Sequence, residues 1–285
     1  MGILKENDTI GLISCSNGLD YTMKDKINEL TSLLSLMNLN VVKSNALYKN
    51  IDNSTTDGKF RANELMSLYN NKNVKAIFDL SGGDLCNEVL DYLDYGKIIS
   101  SQKPFIGYSD LTVILNALYS KTRFVNYNYQ LRNLIREDGK NQIKYFKEIF
   151  LLDEDIMSKI NYKFLKGNSM EGILIGGNIR CFLKLAGTNY IPDFENKILF
   201  LEALSGDINK ISTFISQYSQ IGAFSKINGI LLGTFTELDE KYGYTYIENL
   251  FLEKLKAYNI PIARTIDLGH AANSKLIPIG KKVIL

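Results

Sequence analysis

Apolar positions in the first 125 residues alternate between two patterns. Short β-rich apolar runs fall at residues 9–14, 40–42, 74–80 and 105–107. Between them lie stretches with apolar residues at helical spacing. The clearest is residues 21–36, where Ile27, Leu30, Leu33 and Leu34 lead on to Met37. Further helices are predicted at 60–69, around 87–93, and at 111–119. Strand–helix alternation of this kind implies right-handed βαβ crossovers and a parallel sheet covered on both faces.

Residues 127–170 interrupt the rhythm. They are polar, lack a strand pattern, and read as a connection containing one surface helix. A second α/β section follows, with strands near 172–175, 198–201, 229–232 and 260–263, and helices near 179–185, 208–218 and 246–258. The expected organisation is an α/β domain over residues 1–130, a linker with a surface helix over 131–165, and a second β/α domain over 166–285.

Composition narrows the function. Of the 285 residues 45% are hydrophobic and 22% charged, and 33 basic against 31 acidic side chains leave a net charge of +2. No strong field is directed at nucleic acid or anionic lipid. No apolar run approaches the roughly 18 residues that cross a bilayer. The first residues lack a signal-peptide pattern, and Glu6 stands where a myristoylated Gly2 would want Ser or Thr. Cys15, Cys86 and Cys181 are far apart and read as reduced buried thiols. A cytoplasmic protein is expected. The single histidine, His270, excludes a multi-histidine metal site, and no metal or cofactor is expected. A hydrolase needing a proton shuttle near neutral pH would have to use it.

Three segments could carry chemistry. In Phe105-Ile106-Gly107-Tyr108-Ser109-Asp110-Leu111, a short strand ends and a helix begins at once. Ser109 is thereby placed on a tight turn at the carboxyl edge of the sheet, where ligands of open α/β sheets bind. The helix N-terminus supplies backbone N–H groups suited to a developing oxyanion. Ser109-Asp110 is equally a good helix cap, and Leu111 stands where a G-x-S-x-G elbow has its second glycine. Glu202 ends the apolar run Ile198-Leu199-Phe200-Leu201, where a buried carboxylate needs a partner or solvent. His270 lies in the small-residue loop Gly269-His270-Ala271-Ala272. The pairs Gly82-Gly83 and Gly176-Gly177 follow strands as tight turns; neither fits a nucleotide-binding motif. In chain order the candidates run Ser, Glu, His, as in α/β-hydrolases.

These residues resemble the LD-carboxypeptidases of bacterial cell-wall recycling, a family that includes the microcin-immunity peptidases. The matching landmarks are Gly82-Gly83, Gly107-Tyr108-Ser109-Asp110-Leu111-Thr112, Gly176-Gly177-Asn178, Phe200-Leu201-Glu202, Gly269-His270 and Pro278-Ile279-Gly280. The resemblance implies a flavodoxin-like parallel-sheet N-terminal domain and a smaller, swivelling β/α C-terminal domain with the site between them. It implies a triad of Ser109, His270 and Glu202 and an oxyanion hole at the backbone N–H groups of Gly83 and Asp110. It also implies a small peptide substrate (a muropeptide), a cytosolic setting, no metal, and in many cases a homodimer. The chain departs from the family pattern at Ser81, Val125-Asn126-Tyr127 and Ile208-Asn209-Lys210.

The expected reaction is hydrolysis of the amide between an L-centre diamino acid and a terminal D-alanine. The alternatives are a peptidase acting on peptidyl-nucleotide toxins, a non-catalytic ligand-binding α/β protein, and a generic esterase.

Overall fold

The structure is a computed structural model that describes residues 3–285. From the N-terminus come β1 (Thr9–Ile13), α1 (Lys24–Leu36), β2 (Asn40–Lys43), α2 (Gly58–Asn70), β3 (Val74–Asp79), α3 (Tyr95–Ser101), β4 (Phe105–Gly107), α4 (Thr112–Thr122) and β5 (Asn126–Asn128). Then follow α5 (Gly139–Phe146), β6 (Lys163–Lys166), β7 (Glu171–Asn178), α6 (Ile179–Leu183), β8 (Lys197–Ala203), α7 (Ile208–Gln220), β9 (Gly229–Phe235), α8 (Thr236–Tyr242), α9 (Tyr244–Lys254), β10 (Ile262–Arg264), β11 (Ile277–Ile279) and β12 (Lys282–Ile284).

The strands form two six-stranded sheets. The first has the order β11-β5-β4-β3-β1-β2, with β1 to β5 parallel and β11 antiparallel at the edge. The order 2-1-3-4-5 is the flavodoxin-like doubly wound arrangement. The second sheet runs β12-β7-β8-β9-β10-β6, parallel except for its two edge strands. Both sheets are parallel-rich, as the strand–helix alternation predicts, and the antiparallel edge strands β6, β11 and β12 lie outside that expectation.

Burial explains why the central strands read as continuous apolar runs. On β8, Ile198 and Phe200 join the larger core, whereas Leu199 and Leu201 face the opposite way into the core beneath α6, α7 and α9. A strand buried on both faces has no polar side to alternate with. The two sheets are tied at the start of α4. Asn116 accepts a hydrogen bond from Gly176 N (2.9 Å) and donates to Gly176 O (2.8 Å), while Thr112 Oγ1 accepts from Asn178 N (2.9 Å).

Several local expectations are corrected. Residues 87–93 form a 3-10 turn, Cys86–Tyr92, and α3 follows it. Residues 127–170 contain two strands: β5 begins just before them and β6 pairs antiparallel with β10. The expected surface helix is α5, but it buries Tyr145 and Phe146 and continues as a wide turn burying Ile149 and Phe150. Phe146 stacks on Phe150 at 4.5 Å, and Phe150 lies 5.5 Å from Phe78 of β3. Lysines at 140, 144 and 147 give the segment a polar look, although one face belongs to the core. Gly176-Gly177 is not a turn after a strand but the last part of β7, paired with Phe200 and Leu201.

Candidate active site

The first-sheet components gather at the carboxyl ends of β1, β3 and β4. Ser109 follows β4 directly and has a left-handed backbone (φ 57°), an uncommon conformation for a side chain with a Cβ. It opens the 3-10 turn Ser109–Leu111 that leads into α4. Gly82, after β3, sits alongside: a methyl group at its Cα would lie 3.8 Å from Ser109 Oγ. Gly83 has φ +129°, and a side chain there would run into Asn17. Asn17 Oδ1 accepts from Asp84 N at 2.8 Å, so the glycine loop is held close to the end of β1.

Asp110 is fully buried and its carboxylate is well supplied with donors. It accepts from Ser16 Oγ (2.7 Å) and Cys86 N (2.9 Å), and it pairs with Lys184 Nζ at 2.5 Å. The same Lys184 ammonium donates to Asp84 O at 2.7 Å. Arg180, one turn earlier, pairs with the Asp84 carboxylate and donates to Gly83 O at 3.3 Å. A helix of the second sheet therefore grips both the glycine loop and the Ser109 turn.

Glu202, near the end of β8, is 2% exposed. Its Oε2 lies 2.7 Å from His270 Nδ1. A carboxylate only accepts, so Nδ1 carries the proton and donates, leaving Nε2 of the neutral ring as an acceptor. Nε2 is buried and has no hydrogen-bond partner among the described residues, so Ser109 and His270 are not hydrogen-bonded to one another here. They belong to one neighbourhood: the ring of Tyr108, adjacent to Ser109, lies 5.0 Å from the imidazole.

The histidine loop is fixed by its backbone. Gly269 has φ +147°, and a side chain there would collide with Thr234. Gly269 N donates to Ser274 Oγ (2.9 Å), and His270 O accepts from the Arg136 guanidinium (3.1 Å). Burial alone would push the imidazole pKa down. The charge of Glu202 and its hydrogen bond outweigh that and raise it above the ordinary value, against a smaller lowering by Arg136.

All five residues singled out in the sequence thus lie in two adjoining groups, Gly83, Ser109 and Asp110 in one and Glu202 and His270 in the other. Sequence reasoning missed Tyr108, Arg136, Arg180 and Lys184. For the α6 pair a signal existed: Arg180 and Lys184 are four residues apart, on one helical face, directly after Gly176-Gly177-Asn178. Ser81, at one of the departures from the family pattern, is buried and donates to Asp79 Oδ1 (2.6 Å).

Known proteins bear directly on this arrangement. Residues 10–129 match the LD-carboxypeptidase N-terminal domain and residues 171–285 the LD-carboxypeptidase C-terminal domain. The chain is 28% identical to the putative carboxypeptidase YocD of Bacillus subtilis, covering 97% of this chain and 93% of that protein. It is 25% identical to the murein tetrapeptide carboxypeptidase of Pseudomonas aeruginosa, over 79% of this chain and 76% of that one. Among solved structures, the wild-type apo form of the microcin C7 self-immunity protein MccF, known from Escherichia coli, superposes with a TM-score of 0.86 at 25% identity, covering 99% and 93% of the two chains. This chain belongs to the LD-carboxypeptidase family of peptidases.

Proposed function

We propose that the protein is a serine-type LD-carboxypeptidase that removes the terminal D-alanine from a muropeptide by acyl transfer through Ser109. The observation that carries this reading is the buried His270–Glu202 pair, whose unpartnered Nε2 lies in the neighbourhood of the strained Ser109 turn. His270 takes the hydroxyl proton as Ser109 attacks the carbonyl carbon and delivers it to the leaving amine as the C–N bond breaks. Water then hydrolyses the acyl-enzyme by the same route in reverse. Glu202 holds the tautomer and favours the imidazolium. The backbone N–H groups of Gly83 and Asp110 stabilise the oxyanion, each by roughly 3 kcal/mol.

The substrate class is supported by the family description and by the similarity to a murein tetrapeptide carboxypeptidase. A cytosolic role in cell-wall recycling fits that substrate. The second reading, a peptidase of peptidyl-nucleotide toxins, draws on the likeness to MccF over nearly the whole chain. Mass spectrometry of a murein tetrapeptide incubated with the pure protein tests the first reading. Loss of one D-alanine is the expected result. An intact tetrapeptide alongside a cleaved aminoacyl sulfamoyl nucleotide would favour the second.

A further inference from the structure

His270 lines a cleft of about 500 Å³ whose remaining walls include Tyr108, Gln130, Arg132, Arg136 and Lys26. Its chemistry is unbalanced. Three cations face it, and its single acid, Glu137, lies 3.5 Å from Arg136 and is 82% exposed. Arg136 is already engaged with His270 O. Arg132 is not engaged: its guanidinium makes no ion pair or hydrogen bond among the described residues, and its Nε is buried without a partner. Gln130 is 4% exposed, and its Oε1 accepts from Arg132 N at 3.3 Å. Its amide Nε2, also buried, has no partner among the described residues.

Buried donors left empty are costly, so a pair of them on a cleft wall points to an acceptor supplied from outside. A half-buried guanidinium and an amide N–H lining the same cleft match a carboxylate, which accepts through two oxygens and donates nothing. Which carboxylate follows from the direction of proton transfer. The imidazole returns its proton to the leaving amine, so the leaving residue lies on the His270 side, in this cleft. We infer that Gln130 and Arg132 form the subsite for the free α-carboxylate of the departing C-terminal residue, with Lys26 and Arg136 adding positive potential. On this reading they are what makes the enzyme act on chain ends. The inference rests on the serine-peptidase reading for its orientation, and on the unpartnered donors for its existence.

The test compares a murein tetrapeptide with the same peptide capped as a terminal carboxamide. The wild-type kcat/KM ratio of acid to carboxamide is expected to be on the order of 30 or more. In Arg132→Met it should fall towards one, mainly through KM for the acid, and Arg132→Lys should restore part of it; circular dichroism checks that each variant folds. A separate arm measures calorimetric binding of D-alanine and D-alaninamide to Ser109→Ala, with and without Arg132→Met. D-alanine alone should bind, and only while Arg132 is present. Turnover that ignores the cap, or that Arg132→Met lowers equally for both peptides, overturns the subsite and leaves the peptidase standing. Arg132-dependent binding of D-alanine without any turnover keeps the subsite and overturns the peptidase. Neither binding nor turnover overturns both.

Discussion

Glu202 Oε2 and His270 Nδ1 are 2.7 Å apart in a setting from which both side chains are almost wholly shielded, 3% and 4% exposed. Neither group is comfortable there alone. A buried carboxylate without a partner costs several kcal/mol, and a buried imidazole is pushed towards its neutral form. Together they satisfy one another and leave a single open position, Nε2, as the acceptor. The pair also joins β8 to the loop after β10, so the imidazole is carried by the second sheet while Ser109 follows a strand of the first.

This pairing sets the pH profile. In the proposed mechanism the neutral imidazole is the active form, so kcat/KM is expected to rise with pH as His270 loses its proton. Because the His270 pKa is raised, that acid limb lies above the pH of an ordinary histidine. Glu202→Gln removes the charge that raises it, while burial and Arg136 continue to lower it. The limb should then move to lower pH, and kcat should fall by roughly 10³-fold or more as the tautomer is lost. A pH–rate series on both proteins checks this; a limb that stays in place separates Glu202 from the titrating group.

If Ser109 and His270 act in one step, their losses do not multiply. Ser109→Ala, His270→Ala and the double variant are each expected to lose on the order of 10⁵-fold in kcat. Glu202→Ala should lose less, since it handles no transferred proton. Independent, multiplying losses in the double variant would remove the shared step.

Gly83→Ala probes the glycine loop. At φ +129°, with Asn17 against the site of a new methyl group, alanine forces the loop to move. The expected cost is about 2 kcal/mol of stability. If Gly83 N–H is the proposed oxyanion donor, a fall in kcat of about 10²-fold should accompany it, with KM little changed. Equal changes in kcat and KM for a well-folded variant would argue against an oxyanion role.

The fold is legible in the sequence for reasons that differ by element. The parallel strands stood out because Ile198, Leu199, Phe200 and Leu201 bury on both faces, which leaves an unbroken apolar run. β5 did not, because Asn126-Tyr127-Asn128 earns its place through backbone pairing on both sides, and Asn126 Oδ1 accepts from Phe105 N at 3.0 Å. β11 and β12 are three residues each, too short for a pattern to show. Glu202 and His270 could be singled out because one ended an apolar strand and the other was the only histidine. Arg136 could not be: it holds the histidine loop through a backbone carbonyl, His270 O, and such an acceptor leaves no mark in composition.

Lys184 gives the last prediction, about how the second sheet secures the Ser109 turn. Its side chain is 18% exposed, and its ammonium bridges the fully buried Asp110 carboxylate and Asp84 O. In Lys184→Met, Asp110 keeps the donors Ser16 Oγ and Cys86 N but loses its countercharge. Removing one partner of a buried pair typically costs about 3 kcal/mol, far more than the pair is worth as a unit. Asp110→Asn in the same background removes the stranded charge and should recover a large part of that loss. Urea unfolding of the two single variants and the double variant therefore yields a coupling energy well above 1 kcal/mol. The kinetic consequence follows from position. Asp110 is next to Ser109, so Lys184→Met should lower kcat more than it raises KM, even at temperatures where the variant is fully folded. Additive stabilities, or a folded variant with unchanged kcat, would show that α6 does not secure the turn through Lys184.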